Sequence, residues 1–218
     1  MTGFPQHLLE GYRTFTSQRL PTEQSRYREL SERGQAPQVM VIGCCDSRVS
    51  PEVIFDAGPG ELFVVRNIAN LVPVFQPDGG AHGVSAALEY AVQVLRVKHI
   101  VVLGHAQCGG IRAFIDKIEP LSPGDFIGKW MAMFIKPGET VAQRDHETMA
   151  DFTVRIEKAA VFRSLENLTT FPFVQSLVAR GELNLHGAYF GVAEGSLFVL
   201  DQEAKEFRSV REMLKTGE

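Results

Sequence analysis

The sequence is poor in cysteine: 218 residues carry three, Cys44, Cys45 and Cys108. An odd number this small excludes a disulfide scaffold, and all three fall in two short segments, which suits ligands or nucleophiles better than staples. Basic charge is not in excess either, with 22 Lys and Arg against 26 Asp and Glu. That argues against a nucleic-acid backbone binder, which needs a face rich in Lys and Arg. No apolar run approaches the roughly 20 residues of a membrane span. The opening Met-Thr-Gly-Phe-Pro-Gln has no charged segment leading into an apolar one, so no export signal is expected and the cytoplasm is the expected location. No Gly-x-Gly-x-x-Gly follows an apolar strand, which disfavours dinucleotide binding. Internal repeats, low-complexity tracts and linkers are also missing. An apolar fraction of 44% marks an ordinary globular chain, long enough to bury a core without staples.

What is present is an alternation of short apolar strands and helical patterns. Residues 4–32 hold two helix-like pieces, with Leu8, Leu9, Tyr12 and Phe15 at helical spacing, and a break expected at Pro21. This arm is too polar on its other faces to stand alone, so it should pack on the body or on a second subunit. Residues 39–43, 62–65 and 99–103 are continuous apolar runs, as strands buried on both faces require. Residues 81–97 place Val84, Leu88, Ala91 and Leu95 on one helical stripe, and Gly109 opens another helix. Further helices are expected over 145–168 and 173–180, then strands over 183–192 and 196–200, joined as a hairpin around Glu194-Gly195. The expected class is α/β: a mainly parallel sheet flanked by helices, with an N-terminal helical arm and C-terminal strands, in one domain over 1–218.

In such sheets ligands gather at the carboxyl ends of the strands, where both cysteine segments lie. One is Cys44-Cys45-Asp46-Ser47-Arg48 and the other Gly104-His105-Ala106-Gln107-Cys108-Gly109-Gly110. Two thiolates and an imidazole form a donor set suited to Zn²⁺. Cys45 is a poor further ligand, because consecutive side chains leaving a strand point to opposite faces. Cys44, His105 and Cys108 therefore supply three ligands, as a catalytic zinc keeping one position for water requires. A closed site with Asp46 as fourth ligand is the alternative. In the open arrangement, the Asp46 carboxylate would orient a zinc-bound hydroxide, and Arg48 would hold that carboxylate ionised and off the metal.

These segments resemble the β-class carbonic anhydrases. The resemblance rests on Cys-x-Asp-Ser-Arg-Val, the stretch Pro-Gly-Glu-Leu-Phe-Val-Val-Arg-Asn-Ile-Ala-Asn at 59–70, Glu-Tyr-Ala-Val at 89–92 and Gly-His-x-x-Cys-Gly-Gly. It implies reversible hydration of CO₂ to bicarbonate and a proton, with zinc on Cys44, His105 and Cys108 and with Asp46-Arg48 as the family's dyad. It also implies a homodimer or dimer of dimers, the arm 1–33 packing on the partner subunit and the active site at the dimer interface. Finer features resemble the plant-type branch: Gln35 at the position that reaches bound substrate, Phe63 and Tyr90 as pocket aromatics and Ile68 as an aliphatic wall. The bicarbonate-regulated branch uses a Trp, an Arg and a Tyr where this chain has Val41, Arg66 and Phe190, so an open site with Asp46 paired to Arg48 is expected. Rival readings of the same residues are hydrolysis of carbonyl sulfide or carbon disulfide, and a non-catalytic zinc-stabilised assembly.

Overall fold

Continuous apolar runs become strands because both of their faces can be buried, and here they build one six-stranded sheet of order β2-β1-β3-β4-β5-β6. The computed structural model describes residues 3–136 and 139–216. Strands β1 (Val39–Cys44), β2 (Leu62–Asn67), β3 (His99–His105) and β4 (Asn184–Gly191) run parallel, while β5 (Ser196–Asp201) and β6 (Glu206–Ser209) complete the sheet antiparallel. β1 has β2 on one side and β3 on the other. The chain therefore switches direction across β1, and the loops after β1 and β3 diverge around a crevice.

The helices are α1 (Gln6–Thr14), α2 (Leu20–Arg33), α3 (Pro51–Ile54), α4 (Gly83–Glu89), α5 (Gly109–Ile115), α6 (Phe126–Ala132), α7 (Met149–Leu168), α8 (Pro172–Ala179) and α9 (Val210–Thr216). On one face of the sheet Met40, Ile42, Ile100 and Val102 pack with Leu88 of α4, Val161 and Leu168 of α7 and Val174 of α8. Full burial of each such aliphatic side chain contributes about 1.5–3 kcal/mol. Gly104 permits close approach of α7, since a Cβ there would meet Val161 Cγ2 at 2.6 Å. The opposite face is thinner: its cluster of Val41, Leu103 and Ala188 draws on other strand residues and on Ile54 of α3 alone among the helices.

Several elements depart from the expectations. Pro21 does not break the arm: a π-helical turn over Phe15–Arg19 joins α1 to α2, and Pro21 follows it in the first turn of α2. Neither α1 nor α2 buries a residue, and Tyr12 is 66% exposed. The helix expected over 81–97 begins at Gly83 and passes into a π-helical turn, Tyr90–Val94. The one expected from 145 begins at Met149, because the Thr148 hydroxyl accepts from the Asp151 N–H and caps it there. Strand β6 and helix α9 were not expected at all.

Candidate metal centre

Cys44 ends β1, His105 ends the neighbouring β3, and Cys108 opens α5 three residues later. The reversal between the last two runs through Gln107, a non-glycine residue at φ +57°. It brings the Cys108 sulfur to 4.0 Å from that of Cys44. All three side chains are buried, and their donor atoms lie within 4.8 Å of one another. The His105 Nδ1–H donates to the Ala106 carbonyl at 2.9 Å, which leaves the lone pair on Nε2. That Nε2 is buried and has no hydrogen-bond partner. Two sulfurs about 2.3 Å from one tetrahedral ion stand about 3.8 Å apart, so the observed spacing and the orphaned nitrogen fit a Cys₂His metal site.

The group is also electrostatically primed for a cation. The contact with the Cys108 thiol pulls the Cys44 thiol down, against the effect of burial, and the same contact pushes Cys108 up. Burial acts to lower His105, but its interaction with the Cys44 thiolate outweighs it and raises it. Without a metal, the group thus holds protons that a dication would displace.

Asp46 stands beside the group and is gripped by Arg48, which leaves one acceptor site free on Oδ2. The guanidinium donates from Nε to Oδ1 at 2.9 Å and from Nη2 to Oδ2 at 2.7 Å, and the Arg48 N–H adds a third bond at 3.0 Å. The Arg48 hydrogen bond holds the Asp46 carboxyl well below the usual range. Arg66 in β2 donates to the carbonyls of Cys44 and Asp46 at 2.7 and 2.6 Å and so fixes the backbone that carries both. The Asn67 side chain clamps Leu71 through its N–H and C=O, with left-handed Ala69 and Asn70 between. This places Ile68 over Gly110, where a Cβ would meet Ile68 Cγ2 at 2.5 Å. Trp130 of α6 donates to the Ile68 carbonyl at 2.7 Å.

Within one chain the site residues named from the sequence separate into two groups. Cys44, Asp46, Arg48, Ile68, His105 and Cys108 gather at the carboxyl ends of β1, β2 and β3 and the loops that follow. Phe63 pairs with Met40, whereas Cys44 pairs with Asn67 four residues along. Phe63 is therefore about 13 Å down the sheet from Cys44. Its ring lies 6.0 Å from that of Tyr90, and exposed Gln35 precedes β1 at that same far end.

Residues not singled out from the sequence also shape the site. Glu157, 2% exposed in α7, accepts from the Cys108 N–H at 2.9 Å and from the Tyr189 hydroxyl at 2.6 Å. Ser164 and Asn167 on the same helix hold the backbone of Asn70 and Val72. The available signal was a carboxylate on the apolar stripe that Phe152, Ile156, Ala160 and Leu168 define.

The family model described as carbonic anhydrase matches residues 39–197. A carbonic anhydrase of Pseudomonas aeruginosa is 35% identical over 205 residues, covering 94% of this chain and 91% of that protein. Among solved structures, the β-carbonic anhydrase CcaA aligns with a TM-score of 0.84 at 27% identity, over 94% of this chain and 91% of that one. One of two tetrameric β-carbonic anhydrases from Sordaria macrospora aligns with a TM-score of 0.73 at 28% identity, covering 89% and 95%.

Proposed function

Since this chain belongs to the β-carbonic anhydrase family, we propose that Cys44, His105 and Cys108 hold a Zn²⁺ ion and that the chain uses it to interconvert CO₂ with bicarbonate and a proton. The observation that carries the reading is the buried, partnerless Nε2 of His105 facing two thiols, with an ionised carboxylate alongside. When bound, zinc supplies Lewis acidity, lowering the pKa of a water enough to give a nucleophile near neutral pH.

The chain's own residues do the rest. Arg48 keeps Asp46 ionised, so the free site on Oδ2 would accept a hydrogen bond and orient the group that donates it. With its oxygens engaged by the guanidinium, Asp46 acts as an orienting group and not as a fourth metal ligand. Ile68 offers an apolar wall to a linear, uncharged substrate.

Gln35, Phe63 and Tyr90 complete the pocket from a second copy of the chain. Their distance from Cys44 within one chain supports this, as do the thin cover on one sheet face and the apolar residues of α1 left exposed. The arm 1–33 packs on that second copy, and residues 1–218 act as one domain in a dimer or dimer of dimers. Among the described residues no helix is long and apolar enough to cross a membrane.

Stopped-flow CO₂ hydration on protein of known zinc content tests the reading. Fast turnover at about one zinc per chain is expected. Full zinc without turnover overturns it.

A further inference from the structure

Glu157 lies inside the protein with no basic partner among the described residues. A buried carboxylate is costly unless it is hydrogen-bonded and its charge is met. The hydrogen bonds are present: Oε1 takes the Cys108 N–H and Oε2 the Tyr189 hydroxyl. Burial pushes the carboxyl up, and the Tyr189 hydroxyl and the Cys108 N–H act against that. The Tyr189 hydroxyl is itself pushed up by burial and by Glu157, which keeps it a donor. The structure sets the Cys44–His105–Cys108 group directly beside Glu157, where a bound cation would meet the carboxylate's charge.

The position of Glu157 is as telling as its charge. Gln107 adopts a left-handed conformation that a non-glycine residue reaches only at some energetic cost. The next N–H, that of Cys108, is the one Glu157 holds, so the carboxylate secures the turn that carries Cys108 back toward Cys44. Tyr189 sits in β4 opposite Gly104, one residue before His105. A single carboxylate therefore spans from the strand beside one metal-binding residue to the backbone of another.

We propose that Glu157, braced by Tyr189, is a positioning residue that raises the affinity of the Cys44–His105–Cys108 group for Zn²⁺. It does so by fixing Cys108 and by presenting a carboxylate beside the group that would hold the cation. The inference rests on the zinc reading of that group, but it concerns a residue outside the ligand set. Partners that orient metal ligands commonly contribute about 10–100-fold in affinity.

The test is competition for Zn²⁺ with a chromophoric chelator, using the full chain and its Glu157→Gln and Tyr189→Phe variants. Glu157→Gln keeps the shape and removes the charge, and its Kd for zinc should rise about 10–100-fold. Tyr189→Phe should raise the Kd by about two- to tenfold. In Co²⁺-loaded protein the thiolate-to-metal absorption should shift in Glu157→Gln, a signature that a merely structural role would not move. Should Glu157→Gln fail to fold, Tyr189→Phe decides alone. A parent chain that binds zinc while the folded variants match its Kd overturns this inference and leaves the zinc centre standing. A parent chain that binds no zinc overturns both.

Discussion

Arg48 grips both carboxylate oxygens of Asp46 and, with the same Nη2, reaches the Gln107 carbonyl at 3.0 Å. One side chain thus ties the loop after β1 to the loop after β3. Asp46→Asn should leave zinc content unchanged and lower CO₂ turnover about 100-fold or more. Arg48→Lys keeps the charge without the fork and should also lower turnover. Metal analysis beside stopped-flow rates checks both, and an Asp46→Asn enzyme of near-parental rate would remove Asp46 from the mechanism.

Each of the three candidate ligands is buried and points at the other two. Cys44→Ala, His105→Ala and Cys108→Ala should each lose zinc on dialysis under conditions in which the parent keeps it. Elemental analysis of the dialysed proteins decides. Full retention by any one variant would exclude that residue as a ligand.

Away from the site, Arg155 donates to both oxygens of Glu147 at 2.7 and 2.8 Å. The Arg155 hydrogen bonds, helped by the Arg144 N–H, hold the Glu147 carboxyl down to about 2. An unfolded glutamate titrates at about 4.3. Because the folded value is the lower one, the pair's contribution is whole above about pH 5 and is lost as pH falls through the folded value. The stability deficit of Arg155→Met should hold constant from neutrality to about pH 5 and then shrink. The remainder reflects the Arg155 contacts with the Ala142 carbonyl and the Phe152 ring. Urea unfolding across pH measures it, and a deficit that grows toward acid would contradict the assignment.

Gly104 lets α7 close on β3, with Val161 as the obstructing side chain for any Cβ. Gly104→Ala should destabilise the protein by about 1–3 kcal/mol. Adding Val161→Ala should recover part of that loss, so the double variant is less damaged than the sum of the singles. Additive losses in thermal or urea unfolding would show that the clash is relieved elsewhere.

The arm exposes Leu8, Leu9 and Tyr12. Changing Leu9 and Tyr12 together to Glu should lower the sedimentation coefficient to that of a monomer and remove turnover with it. An active monomer would contradict the composite pocket.

The parallel core was legible because runs such as Val39 to Gly43 and Ile100 to Gly104 are apolar without alternation. The Cys44–His105–Cys108 cluster was legible because Cys44 and His105 close such runs and Cys108 lies three residues further on. Register was not: nothing in the sequence states that Phe63 pairs with Met40, and only that pairing reveals how far the aromatic pair lies from Cys44. Pro21 misled because proline breaks a helix interior but suits a first turn, and a π-helical turn just before it moved the boundary. Glu157 was not legible because a glutamate in a long helix is ordinarily solvated, and its partners, Cys108 and Tyr189, are 49 and 32 residues away in sequence.

In the composite pocket proposed above, the placement of Phe63 and Cys44 at opposite ends of one sheet also has a genetic consequence. A chain disabled by Cys44→Ala still offers its aromatic pair, and one disabled by Phe63→Ala still offers its metal group. Mixed in equal amounts and allowed to exchange, two inactive proteins would form pairs carrying one sound site each, restoring about a quarter of the parental rate. Alleles of these two kinds would then complement one another in a single cell.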